Sequence, residues 1–248
     1  MSGMIGIIGG SGLAKLVGLE NVRREIVRTS WGHPSSALSF GELEGARVVF
    51  MARHGYGHTI APHDINYRAN ISALKQAGAT AIISVATVGG IRADLTPGTL
   101  AVPEQLIDYS SGRASTYYSG PDQPVVHIDF TRPYDEAMRR RLIDAAQARG
   151  TPVVDGGCYG CMQGPRLETA AEIRRLERDG CDMVGMTGMP EAVLAREAEI
   201  PYAALAVVAN HAAGKGDALD AVRMQAIGAV LEEAMKRVLT ILGQAVRR

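Results

Sequence analysis

The run Ala81-Ile82-Ile83-Ser84-Val85-Ala86-Thr87-Val88 carries no charge and breaks its apolar side chains only with two small hydroxyls. A strand apolar on both alternating faces must be covered on both, which is the situation of a central strand in a parallel sheet. Similar apolar runs occupy residues 5–8, 47–52 and 202–209, and shorter ones 99–102 and 182–186. Between them, residues 66–77 space Ile71, Leu74 and Ala77 as one face of a helix that stops at Gly78. Residues 134–149, 192–198 and 224–242 are further helices, the first with Arg139-Arg140-Arg141 as a solvated face. Gly164-Pro165 opens another over 164–172, with Glu168 near its start. Residues 109–131 lack periodicity and read as a long loop, a length that is usually functional inside a compact domain. Strands alternating with helices imply the α/β class, with one mixed central sheet flanked by helices on both faces. At 248 residues the chain suits a single domain, 1–248, that buries on the order of three quarters of its unfolded surface.

Composition narrows the partners. Lys plus Arg and Asp plus Glu are both 26, so net charge recruits neither nucleic acid nor an anionic membrane, and a small molecule is the expected partner. Residues 1–12 are too short to span a bilayer and carry no basic leader, so a cytoplasmic protein is expected. Cys158, Cys161 and Cys181 are an odd set, and the Cys158-Tyr159-Gly160-Cys161 motif has no second pair or nearby histidines to complete a zinc site. No metal is expected.

Chemistry gathers where the strands end. Gly9-Gly10-Ser11-Gly12 follows the first strand and lets backbone amides converge on an anion, with the Ser11 hydroxyl as a further donor. A dinucleotide fingerprint is weakened there by Lys15, which stands where the third glycine belongs. Arg53 and His54 end the 47–52 strand, beside His58 and His63; these are half of the chain's six histidines. Ala86 and Thr87 close the central strand, and Thr187 follows 182–186. In open α/β sheets this edge is where ligands bind. Such donors suit a phosphate-sized anion, with Arg53 forking onto two of its oxygens. No Walker lysine loop or acidic metal cluster accompanies them, so the anion is read as a reactant rather than part of a metal–nucleotide complex. Two readings of Glu168 stay open, a ligand group or simple compensation of a helix dipole. His211 either lines the ligand site or caps its strand.

These motifs carry a resemblance. Ile5 to Leu13, Arg53-His54-Gly55 with His58-Thr59-Ile60, Asn66-Tyr67-Arg68-Ala69-Asn70, Gly164-Pro165-Arg166 and Met186-Thr187-Gly188-Met189-Pro190-Glu191 together resemble the trimeric purine nucleoside phosphorylase family, on its 5′-methylthionucleoside branch. The resemblance implies a homotrimer, no cofactor, and reversible cleavage of a purine N-glycosidic bond by inorganic phosphate. It assigns phosphate to Ser11, Arg53, His54, Ala86, Thr87 and Thr187, the sugar to Met186 and His58, and the base to Leu167, Glu168 and Asn210, with His211, Ala212 and Val222 around them. Asn210 and His58 are the catalytic candidates, Asn210 by meeting N7 as the base departs.

The chain departs from the methylthioadenosine phosphorylases in carrying Asn210 where they have an aspartate, and Ala212 where they have a second acid. An amide can donate to a 6-oxo group, and Glu168 can accept the N1 proton that 6-oxopurines have and adenine lacks. No histidine stands between His211 and the C-terminus to meet a 5′-hydroxyl, and leaving one unmet costs about 1–3 kcal/mol. S-methyl-5′-thioinosine is therefore the expected substrate, ahead of inosine or guanosine and of methylthioadenosine. A nucleoside-binding module without catalysis is the alternative from another class.

Overall fold

The computed structural model describes residues 3–247. Its sheet comprises β1 (Met4–Gly9), β2 (Glu20–Glu25), β3 (Leu38–Leu43), β4 (Ala46–Ala52), β5 (Ala79–Gly90), β6 (Leu100–Val102), β7 (Gln105–Asp108), β8 (Val154–Asp155), β9 (Cys158–Cys161), β10 (Met183–Gly185) and β11 (Tyr202–His211). The helices are α1 (Tyr67–Gln76), α2 (Glu136–Ala148), α3 (Ala170–Arg178), α4 (Gly188–Glu197) and α5 (Met224–Val246), with a 3₁₀ turn at Gly216–Ala218. This is the mixed, helix-flanked sheet that the apolar runs imply.

The trunk is β5. Strand β11 runs parallel to it along one edge, pairing Tyr202 with Ile82 through to His211 with Gly90. Its other edge is shared: parallel β1 pairs up to Ser84, and antiparallel β10 pairs only with Gly89 and Gly90. Residues 85–88 therefore lie in a gap between two neighbours, and this gap positions the site.

Side-chain alternation builds a core on each face. On β4, Val48 and Phe50 join Ile83, Val85, Leu205 and Val207 beneath α2 and α5, where Leu142, Val238 and Ile241 cover them. Val49 and Met51 face the other way, joining Ile82, Ala204 and Ala206 beneath α1 and α4, covered by Ile71, Leu74 and Leu194. This two-sided burial follows from the period of a strand.

Two expectations need correction. The helix expected over 164–172 begins only at Ala170, because Thr169 and Glu172 form a capping box: Thr169 accepts from the Glu172 amide at 3.1 Å and Glu172 from the Thr169 amide at 2.7 Å. Glu168 thus precedes the helix. Arg139 is buried rather than solvated, with its guanidinium on the Pro103 carbonyl (3.0 Å), Glu136 (2.6 Å) and Asp155 (2.5 Å). A lone charge run does not reveal that the first of three arginines turns inward. The 109–131 segment contains no helix or strand.

Candidate active site

The gap along β5 opens into a cavity of about 470 Å³, lined by Ser11, Arg53, His54, His58, Thr87, Leu167, Glu168, Met186, Thr187, Asn210, Ala212 and Val222 among others. That volume falls in the usual range for a small-molecule site. Residues from seven separate strands, strand ends and loops meet here.

At one end the side chains lock onto one another. Arg53 is 1% exposed, and its fork does not point at the cavity as expected. Nε donates to Glu191 Oε2 at 2.6 Å and Nη2 to Glu191 Oε1 at 2.8 Å, while Nη2 also reaches Ser84 Oγ (2.6 Å) and Nη1 the Val85 carbonyl (3.1 Å). A guanidinium held this deep needs an internal counter-charge. Burial works against its charge, but Glu191 more than offsets this and raises its pKa. Four of the five N–H groups of the arginine are used, leaving one on Nη1. Nη1 lies against Gly10, where an added Cβ would come within 2.7 Å of it, so only glycine fits. Glu191 also accepts from the hydroxyls of Ser84 and Tyr202, each at 2.8 Å.

His54 Nδ1 lies 2.8 Å from the Ile60 carbonyl, which only accepts, so Nδ1 carries the proton and Nε2 keeps its lone pair. Burial first, then the charge of Arg53, lowers its pKa to about 4. The ring is neutral at physiological pH. The His58 ring lies against it, tilted by 39° with centroids 4.5 Å apart, and His58 holds a left-handed backbone (φ 52°), uncommon for a residue with a side chain. The Thr87 hydroxyl donates to the Ser11 carbonyl at 2.9 Å, tying the Gly9–Gly12 turn to β5. Thr187 precedes α4 without capping it and lines the cavity, its amide donating to the Tyr159 hydroxyl at 3.2 Å and its side chain meeting the same hydroxyl.

The opposite end is looser. Glu168 is relieved of capping by Thr169 and Glu172, and burial raises its pKa. Asn210 follows an irregularity in which Val208 pairs with Val88 and Asn210 with Gly89, so Ala209 is an extra residue. Bulges of this kind re-aim side chains beside binding sites. The Asn210 amide spends one N–H on the His211 carbonyl (2.7 Å), leaving its oxygen and second N–H. Apolar lining comes from Val222, from Met224, Ile227 and Leu231 in the first turns of α5, and from Ile60 and Pro62.

Two expected site residues lie elsewhere. Ala86 is buried in the core beneath α1 and α4 and does not line the cavity. The His211 ring turns away to Asp217, with Nδ1 to Oδ1 2.6 Å, because Gly216 packs against it without a side chain. The pair of cysteines in the Cys158–Cys161 motif cannot chelate: residues three apart on a strand face opposite ways. Cys161 Sγ accepts from the Met189 amide at 3.2 Å, while Cys158 contacts Cys181. Glu191 escaped sequence reasoning, because an acid ahead of the 192–198 helix, which itself carries Arg196 and Glu197, does not stand out from ordinary helix charges.

The phosphorylase superfamily matches residues 4–247. The chain is 52% identical to a probable S-methyl-5′-thioinosine phosphorylase of Pseudomonas syringae pv. tomato, over 96% of each chain. It is 46% identical to a 6-oxopurine nucleoside phosphorylase of Pyrococcus furiosus, over 85% of this chain and 80% of that one. The methylthioadenosine phosphorylase of Schistosoma mansoni in complex with adenine superposes with a TM-score of 0.92 at 34% identity, covering 98% of this chain and 90% of the other. With a gapped trunk strand, a donor-lined cavity and a match along its described length, this chain belongs to the phosphorylase superfamily.

Proposed function

We infer that the protein cleaves S-methyl-5′-thioinosine with orthophosphate, yielding hypoxanthine and 5-methylthioribose 1-phosphate in purine salvage. One observation carries this reading: Glu168, free of helix capping, and the amide of Asn210 share a cavity with Ala212, where a second acid would favour a 6-amino base. The relatives named for methylthioinosine and for 6-oxopurine nucleosides support it.

The chemistry follows from the two ends. Departure of the base leaves an oxocarbenium-like sugar, which an anion held beneath it both stabilises and captures. Ser11, the remaining Arg53 N–H and Thr187 donate to phosphate, the His54 Nε2 lone pair accepts from a protonated phosphate oxygen, and the Thr87 backbone completes the cradle. Because Glu191 neutralises Arg53, phosphate is held largely by dipoles. Met186 lies against the sugar, with His58 beside it. Asn210 meets the base as charge develops at N7, and Glu168 accepts N1–H. The apolar start of α5 receives the 5′-methylthio group.

Phosphate is the co-substrate in this proposal, and no cofactor takes part. The family resemblance further supports a homotrimer, testable by light scattering for three chains of 26.3 kDa. No described helix is long and apolar enough to cross a membrane, and a cytoplasmic location is part of the proposal. The deciding assay follows purine release from methylthioinosine, inosine and methylthioadenosine, with and without phosphate. Methylthioinosine should give the highest kcat/KM. Preference for methylthioadenosine would overturn the base assignment, and binding without phosphate-dependent release would make this a binding module.

A further inference from the structure

We propose that Arg113 is a positioning residue that sets the opening of the nucleoside site from behind its walls. The ladder between β9 and β10 ends at Gly185 and Cys161. Beyond that point the two chains diverge, one into Gly164–Glu168 on the base side and the other into Met186–Thr187 on the sugar and phosphate side. Carbonyls that leave a buried ladder need new donors. Arg113, from the aperiodic 109–131 segment, supplies them on both branches.

Its Nη1 donates to the carbonyls of Met186 (2.8 Å) and Met189 (2.6 Å), and its Nη2 to those of Met162 (3.2 Å) and Gln163 (2.8 Å). Nε donates to Gln163 Oε1 at 3.2 Å. The guanidinium also lies 5.7 Å from the ring centroid of Tyr67, whose hydroxyl donates to the Pro62 carbonyl at 2.9 Å. Pro62 lines the cavity as well, so a third wall is tied to the same group. Every donor of Arg113 is engaged and the residue does not line the cavity, so it acts through the backbone. Its planar fork spans two diverging chains in a way that a compact lysine ammonium does not.

This inference rests on the nucleoside-cleavage reading. The test uses Arg113→Lys and Arg113→Ala, both checked for folding by thermal melts. Kinetics are measured on whichever nucleoside the wild type prefers, and nucleoside affinity by calorimetry. A displacement of about 1 Å at a reacting centre costs about 100-fold, and the alanine variant should lose that much kcat/KM. Nucleoside KM should rise more than phosphate KM, because Glu191 separately locks Arg53 and only Thr187 among the phosphate donors follows a wall that Arg113 holds. Added guanidinium ion should restore activity to the alanine variant, where methylammonium does not. If the alanine variant does not fold, the lysine variant carries the same comparison. A folded variant with wild-type kinetic constants would overturn the proposal, as would equal rises in both KM values without guanidinium rescue. Should the wild type bind nucleoside without cleaving it, the function reading fails separately, and Arg113 is then judged by the nucleoside dissociation constant, which must still weaken.

Discussion

At the phosphate end of the cavity the side chains stand just past buried strands and lock onto one another; at the nucleoside end, Asn210 of β11 apart, they stand on loops and a helix start. Arg53 is 1% exposed and Glu191 0%, whereas Leu167 is 38% and Met224 62% exposed. The difference matches the ligands each end is proposed to meet. Orthophosphate never varies, so donors preorganised for it are worth most when they cannot reorganise. The base and the 5′ substituent distinguish one nucleoside from another, and loops can change to meet them without disturbing the sheet. Stability and selectivity should therefore separate along the cavity.

The largest expected break is at Glu191. Glu191→Gln leaves the Arg53 guanidinium buried without its counter-charge, which costs about 3–5 kcal/mol. Urea unfolding should show a loss of that order together with loss of turnover. Glu168→Gln, at the other end, should leave the unfolding midpoint nearly unchanged. Similar losses in both variants would erase the distinction between the two ends.

The same contrast explains what could be read in the sequence. The trunk strand and β11 were legible because continuous apolar runs have few other fates, and the phosphate end was legible because it sits where those strands stop. Glu191 was not, because its partner lies 138 residues away and only the closed sheet brings the two together. The late start of α3 was available in principle, since Thr169 and Glu172 have capping-box spacing, but Pro165 suggested an earlier first turn. Arg113 left no trace, because its partners are backbone carbonyls, which every residue possesses. His211 was misplaced for a related reason: nothing in its neighbours announces that Gly216 makes room for its ring.

A smaller effect should appear with pH. His54 has its pKa lowered from 6.5 to about 4, so in that window the unfolded chain binds a proton that the folded chain refuses. Stability therefore falls as pH drops from about 6.5 towards 4 and is unaffected above it. His54→Asn removes the titration while keeping a neutral donor for the Ile60 carbonyl, and its unfolding midpoint should fall less between pH 7 and pH 5. Equal falls in both proteins would move the acid sensitivity elsewhere. At the nucleoside end, the raised pKa of Glu168 should appear as a nucleoside KM that climbs with acidity, while its protonation favours the folded chain, the opposite sign to His54.

Selectivity comes next. Asn210→Asp replaces a donor with an acceptor at the base, and one hydrogen bond to a charged group is worth about 1.5–3 kcal/mol. The ratio of kcat/KM for 6-amino over 6-oxo nucleosides should rise by about 10- to 100-fold, with phosphate KM unchanged. An unaltered ratio would remove Asn210 from base recognition.

The smallest effect tests whether the looser end has a support of its own. Thr169 caps α3 one residue after Glu168, and replacing a capping threonine with alanine costs about 1 kcal/mol. Fraying of that first turn would let Glu168 drift, because the Gly164–Glu168 segment leans on the same turn through the Arg166–Glu172 pair (2.8 Å), while Arg113 holds it at its far side. Thr169→Ala should thus raise nucleoside KM less than tenfold while phosphate KM stays put. If phosphate KM rises in step, the helix cap is carrying the whole sheet edge, and the two ends are one cooperative unit rather than a fixed cradle with an adjustable rim.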